Sequence, residues 1–374
     1  MFKTMQAVIY VAATVVLSAC GGTDGGTNSG ANGGANGGDA SHDAVSLKTM
    51  QSQEKLGTTP AKMVLAYYSG YTGNYRSLTK YYGNFNAASI DYWNITSQGE
   101  VVGNGDDTPT DAMAFLKQKK IPAYACISNV DGDWSPSIAH SVTGSYRSTA
   151  ISNLVSFAKK NGMAGINLDF ENVAQADRAN LSAFVSALAS ALHASGLKLI
   201  VSVPAFSSTD ETNPYNYAYD LAALGKAVDY LQIMTYDETI PDWPAGPVAG
   251  SDWMENDLDY ATSKVSPTKI LNGIPAYGYD WIKPGDGSQL YWNATPALLK
   301  KYGVTPKYDN NTNSETFTYT ASGAKHTVWT ENVQSVTLKA GLVNAYGLGG
   351  TSLYALGMED ANFWSAVTAG LQQQ

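Results

Sequence analysis

Eight short runs of apolar and β-branched residues recur along the chain from Lys62 onward, and this repeat constrains the fold more than any other feature. The runs are Met63–Tyr68, Ile90–Ile95, Ile121–Ser128, Gly165–Glu171, Leu197–Val203, Val228–Tyr236, Ile270–Tyr277 and Thr351–Leu356. Between them lie segments with helical periodicity, such as Asp111–Lys119, Arg147–Asn161 and Asp177–Ala194. The last carries Leu181, Phe184, Val185, Leu188 and Leu192 on one face at i, i+3, i+4 spacing. Strands alternating with helices predict an α/β fold, and eight of them over about 300 residues fit a (β/α)8 TIM barrel. The pattern is also compatible with a doubly wound open sheet.

One connection is too long for a plain barrel helix. Residues 282–345 hold a helix signal at Tyr291–Tyr302 and then a Thr- and Tyr-rich hairpin signal through Phe317–Thr320 and His326–Trp329. A small insertion between strands 7 and 8 would rise from the C-terminal face, where barrel enzymes keep their sites, or would only decorate the surface.

The first 60 residues read differently. Residues 1–19 pair one basic residue, Lys3, with an apolar stretch, Ala7–Leu17, that is too short to cross a bilayer, as in a secretory signal peptide. The run Leu17-Ser18-Ala19-Cys20 is similar to a bacterial lipobox, so Cys20 is expected to be lipidated and to become the mature N-terminus. Residues 20–60 then form a tether. Half of Gly21–Gly38 is glycine and the rest is small or polar, too little apolar surface to offset chain entropy. Its root-mean-square reach is roughly 30–40 Å. Gly21 rather than Asp follows the cysteine, which in a Gram-negative host points to the outer membrane. The expected location is the bacterial cell envelope, with the barrel, residues 61–374, anchored outside the cytoplasm. Cys126 is then the other cysteine of two, and it has no intramolecular disulfide partner.

Composition excludes several functions. The net charge is -9 with no run of Lys or Arg, so the chain lacks the surface that nucleic acid requires. The four histidines, His42, His140, His193 and His326, have no metal-gathering spacing and no Ser/His/Asp context. Asp309–Asn313 is like the start of a calcium loop, but Ser314 stands where Gly is required and Thr320 where a bidentate Glu is. No Gly-rich phosphate loop follows a strand. The reading is a monomer without metal or cofactor. Aromatic usage leans to Tyr (24) and Trp (8) over Phe (9), rings with a polar edge that suit sugars as well as core corners.

The fourth run, Gly165-Ile166-Asn167-Leu168-Asp169-Phe170-Glu171, carries the chemistry. Alternation puts Asn167, Asp169 and Glu171 on one face and Ile166, Leu168 and Phe170 on the other. In a barrel the polar set points inward and climbs toward the C-terminal mouth. Alternate residues are about 6.6 Å apart along a strand, close enough for two carboxyls to share a proton and for one pKa to rise. A carboxylic acid held protonated is what a glycosidic oxygen needs.

Those residues also carry a resemblance. Ala164–Glu171 resembles the Asp-Gly-x-Asp-x-Asp-x-Glu signature of family-18 glycoside hydrolases, the chitinase family. Val228–Asp237 is similar to that family's sixth strand, Lys269–Trp281 to its seventh and Gly349–Gly357 to its eighth. The four motifs stand in order across Lys62–Trp364. The forms Asn-x-Asp-Phe-Glu and Gly-Ile-Pro-x-Tyr-Gly-Tyr-Asp-Trp most resemble the spore-cortex-lytic and peptidoglycan N-acetylglucosaminidase branch, here without LysM repeats.

The resemblance implies substrate-assisted, retaining hydrolysis of an N-acetylglucosamine-containing glycan. It makes Glu171 the general acid and later base, Asp169 the holder of the acetamido group, and Tyr236 a donor to the acetamido oxygen. It places Asp237 along the subsite, and Asn167, Met234, Tyr277, Trp281 and Tyr354 complete the candidate substrate-binding set. Three positions depart from the family pattern: Ala164 and Asn167 replace the first two Asp of the signature, and Tyr354 stands where the subsite floor is usually Trp. Tyr67, Trp93 and Trp243 are further aromatics near strand ends, and like Tyr277 and Trp281 each fits the core at least as well as a sugar-stacking position. Two other readings are an inactive glycan-binding lipoprotein, which retention of Glu171 opposes, and an endo-N-acetylglucosaminidase acting on N-glycans.

Overall fold

A computed structural model describes residues 62–105, 109–208, 213 and 215–373. The signal peptide, Cys20 and the tether lie outside the described residues. Eight parallel strands form the core: β1 (Met63–Tyr68), β2 (Ala87–Ile95), β3 (Ala123–Ser128), β4 (Gly165–Asp169), β5 (Lys198–Pro204), β6 (Tyr230–Met234), β7 (Ile270–Pro275) and β8 (Gly350–Tyr354). Each pairs with the next, and β1 pairs with both β8 (Met63 opposite Gly350) and β2 (Leu65 opposite Ala87). The sheet therefore closes. This is the (β/α)8 barrel of the sequence reading, and the closing pair excludes the open sheet.

Helices such as Thr110–Lys119, Arg147–Lys160 and Arg178–His193 cover the barrel, burying Leu116, Leu154, Leu181, Phe184, Val185, Leu188 and Leu192. The barrel interior is polar rather than aliphatic. Asn167 Nδ2 donates to Tyr67 Oη (3.0 Å) and Ser89 Oγ (3.1 Å), and Ser202 donates back to Asn167 Oδ1 (3.3 Å). Tyr67 also donates to Gln232 Oε1 (3.3 Å), whose Nε2 reaches Ser352 Oγ (3.1 Å). Strands β1, β2, β4, β5, β6 and β8 are thus tied across the centre, and each polar group gains a partner that offsets its burial.

The insertion starts earlier and ends earlier than residues 282–345. Strand β7 runs through Ala276 into Tyr277–Trp281, the second strand of an antiparallel sheet ordered Gly287–Tyr291, Tyr277–Trp281, Ala324–Thr330, Ser314–Ala321, Lys307–Asp309. Helix Thr295–Tyr302 accompanies it, and Phe317, Tyr319 and Val328 form its own small core. Helix Val333–Ala345 belongs to the barrel, because it buries Val336, Lys339, Ala340 and Val343. Its apolar face is broken by Lys339, whose charge hides that role in the sequence. Lys339 forms a buried ion pair with Glu331 and donates to Ser314 Oγ (3.3 Å), joining insertion to barrel.

Candidate active site

Strand β4 delivers Asp169 to the C-terminal mouth and ends there. Glu171 lies two residues beyond, outside the ladder, followed by Asn172 with φ 52°. Asn129, directly after β3, accepts the Glu171 amide proton through Oδ1 and donates to its carbonyl through Nδ2, both at 2.9 Å. Tyr219 donates to the neighbouring Phe170 carbonyl (2.8 Å).

Burial, then the charges of Asp169, Asp237 and Asp91, push the Glu171 pKa well above the usual carboxylate range. Burial, then the charge of Asp91, pushes Asp169 up to about 7. Low dielectric and like charges disfavour ionisation of both at once, so the pair holds a proton near neutral pH. Asp169 Oδ1 is buried and accepts no hydrogen bond, while Oδ2 has the Cys126 thiol 4.0 Å away. A buried carboxylate oxygen left unspent is a strong acceptor for a ligand N–H.

Tyrosines ring these acids. The Tyr354 ring lies 5.6 Å from Tyr67, 5.8 Å from Tyr236, 6.1 Å from Tyr71 and 6.4 Å from Tyr277. Burial raises the pKa of Tyr236 and Tyr354, leaving both phenols neutral donors. Tyr236 needs Gly273 on β7, where a Cβ would come within 2.6 Å of its ring. Asp237 takes a left-handed conformation (φ 63°) and accepts from Tyr277 (2.8 Å) and Tyr279 (2.7 Å) at the start of the insertion sheet.

The expected residues do not all reach the cleft. Asp169, Glu171, Tyr236, Asp237 and Tyr354 converge at the mouth, and Met234 ends β6 partly exposed. Asn167 is fully buried one layer below, with its amide spent on Tyr67, Ser89 and Ser202. Trp281 is 2% exposed and donates its indole N–H to Pro241, so it packs the wall instead of offering a face. Tyr277 is equally buried, and its hydroxyl orients Asp237. Asp91, Asn129, Tyr71 and Tyr219 were not anticipated. Asp91 alone gave a signal, as an acid inside a strand. Each histidine among the described residues pairs with an Asp: His140 with Asp177, His193 with Asp229 and His326 with Asp280. No cluster of three or more His, Cys, Asp or Glu among the described residues could hold a metal.

A family model described as "Glycosyl hydrolases family 18" matches residues 63–359. The chain belongs to glycosyl hydrolase family 18. It is therefore a glycosidase with a chitinase-like barrel. The solved structure of a chitinase from Chromobacterium violaceum ATCC 12472 superposes with a TM-score of 0.83 at 64% identity, covering 84% of this chain and 100% of that one. A class V chitinase from Pseudomonas fluorescens Pf-5 gives a TM-score of 0.76 at 34% identity, over 83% and 100%. Among curated proteins, an uncharacterized glycosylase of Bacillus subtilis is 38% identical across 83% of this chain and 92% of its own length. A cortical fragment-lytic enzyme of Bacillus cereus is 30% identical over 69% of this chain and 62% of that one.

Proposed function

We propose that this glycosidase cleaves β-1,4-linked N-acetylglucosamine polymers by a substrate-assisted, retaining mechanism. The observation that carries the reading is the buried, unspent Oδ1 of Asp169 beside an acid whose proton affinity is raised. Glu171 protonates the glycosidic oxygen as the C–O bond breaks. The sugar's own acetamido oxygen attacks the anomeric carbon, with Asp169 accepting the acetamido N–H and the Tyr236 phenol donating to that oxygen as charge develops on the ring. Water, deprotonated by the Glu171 carboxylate, then opens the oxazolinium from the face the leaving group left. Two displacements restore the original configuration.

Chitin-type chains are the preferred substrate, supported by 64% identity to a chitinase. Peptidoglycan is the second reading, supported by the cortical fragment-lytic relatives. Incubation with chitin oligomers, purified peptidoglycan and N-glycoproteins, with product masses, separates the substrates. Glu171→Gln is expected to lose at least about 10³-fold in kcat. Full activity in that variant would overturn the assignment, and glycan binding without turnover by the wild type would make the chain a lectin.

The chain is further proposed to be a monomer held at the cell envelope through lipidated Cys20, in the outer membrane of a Gram-negative host. Incorporation of a palmitate analogue, lost in Cys20→Ala, checks the anchor.

A further inference from the structure

Asn129 is completely buried, and its side-chain amide is spent on backbone alone. Oδ1 accepts from Glu171 N–H, and Nδ2 donates to the carbonyls of Glu171 (2.9 Å) and Ser135 (3.0 Å). Its own carbonyl accepts from Ser135 N–H (2.9 Å). The β3–β4 ladder stops at Ser128 opposite Asp169, so this carboxamide does for Glu171 what a neighbouring strand does for the residues before it. A carboxamide presents an acceptor and a donor side by side, matching a peptide N–H and C=O. Aspartate lacks the donor and alanine lacks both.

The span that Asn129 and Ser135 close is a small hairpin, Val130–Asp131 against Asp133–Trp134, turning at Gly132 with φ 73°. Asn172, the residue after Glu171, donates to the Trp134 carbonyl at 3.5 Å. We infer that Asn129 is a positioning residue, which locks the backbone of Glu171 to the 130–134 hairpin so that this rim of the mouth and the proton donor are held as one body. The inference rests on the reading of Glu171 as the acid. A donor displaced by a fraction of an ångström no longer meets the glycosidic oxygen in line, so the loss falls on turnover rather than on binding.

The test measures kcat, KM and the pH profile with an aryl chitobioside, below each variant's melting temperature, for Asn129→Ala, Asn129→Asp and, in parallel, Glu171→Gln. Asn129→Ala is expected to lower kcat by about 10- to 100-fold with KM within about twofold. Asn129→Asp, nearly isosteric, keeps the acceptor for the Glu171 N–H but loses the donor to its carbonyl, and is expected to lower kcat with KM within about twofold, a split that a purely structural role would not produce. Folded variants with wild-type kcat would overturn the inference, even with a lowered melting temperature. Should Asn129→Ala not fold, the kcat-against-KM split of Asn129→Asp decides. An active Glu171→Gln sinks the acid assignment itself, whereas an inactive Glu171→Gln beside a fully active Asn129→Ala sinks only the positioning role.

Discussion

The Cys126 thiol sits 4.0 Å from Asp169 Oδ2 and receives a hydrogen bond from Asn167 at 3.4 Å. Burial, then the negative charges of Asp91 and Asp169, raise the thiol pKa well above its ordinary value. The thiolate, the reactive form, is therefore suppressed. Folded protein is expected to resist iodoacetamide at pH 8, with alkylation appearing only on denaturation. Rapid modification accompanied by loss of activity would show that the floor beneath Asp169 opens.

The charge of Asp169 is the second cause, after burial, of the raised Glu171 pKa. On the proposed mechanism Glu171 acts in its protonated form, so activity falls as pH rises through that pKa. In Asp169→Asn the repulsion is gone, so the alkaline limb of kcat/KM is expected to move to lower pH, with kcat reduced by about 10²- to 10³-fold. An unmoved limb would show that the two carboxyls do not interact.

Gly273 leaves no room for a methyl group, since a Cβ would lie 2.6 Å from Tyr236 Cε1 and 2.9 Å from the Ile233 carbonyl. Backbone on one side means that the Tyr236 ring must yield on the other. Gly273→Ala is expected to destabilise by about 1–3 kcal/mol and to lower kcat more than it raises KM. Wild-type turnover and melting temperature together would mean that the ring has space to move.

Asp257 is 1% exposed and neither carboxylate oxygen has a partner, while burial and then Glu238 push its pKa up to about 7 from 3.8. The folded state binds this proton more tightly than the unfolded state. Stability fully present below pH 3.8 is thus lost as pH rises to about 7. Asp257→Asn removes that dependence, so its melting temperature at pH 8 is expected to exceed wild type by several degrees, with the gap closing near pH 4. Parallel melting curves from pH 4 to 8 would count against a buried neutral carboxyl.

Breaking the ion pair at the insertion junction has a different signature. Lys339→Met leaves the Glu331 carboxylate buried without its cation and is expected to cost about 3–5 kcal/mol. Adding Glu331→Gln should recover part of that loss. If the double variant melts no higher than the single, the pair is not the linkage.

The barrel was legible because each strand is rich in apolar and β-branched residues and most covering helices carry an apolar face, signals that survive without tertiary context. All eight strands fall within three residues of their expected starts and ends. The pair Asp169 and Glu171 was legible for a related reason, since acids alternating with large apolar residues fit few environments. Asn129 was not, because a carboxamide in a loop looks the same whether it meets water or clamps a backbone. Trp281 had two readings in the sequence, since an aromatic at a strand end suits a sugar platform or the core, and burial with its indole N–H spent on the Pro241 carbonyl selects the core. Side-chain direction past the end of a ladder depends on partners that arrive from distant sequence.

Ala276 joins β7 to the insertion sheet with no intervening turn, and its amide donates to the Tyr354 carbonyl (2.8 Å) while its own carbonyl receives Trp292 N–H (2.9 Å). The cleft wall is therefore a barrel strand that keeps going, pinned where it crosses the rim. Nothing in that arrangement serves as a hinge, and swinging the wall outward would tear ladder bonds on both sides of Ala276. On the function proposed above, the substrate meets a wall already in place, and binding and release pass through a groove of fixed width rather than an opening jaw.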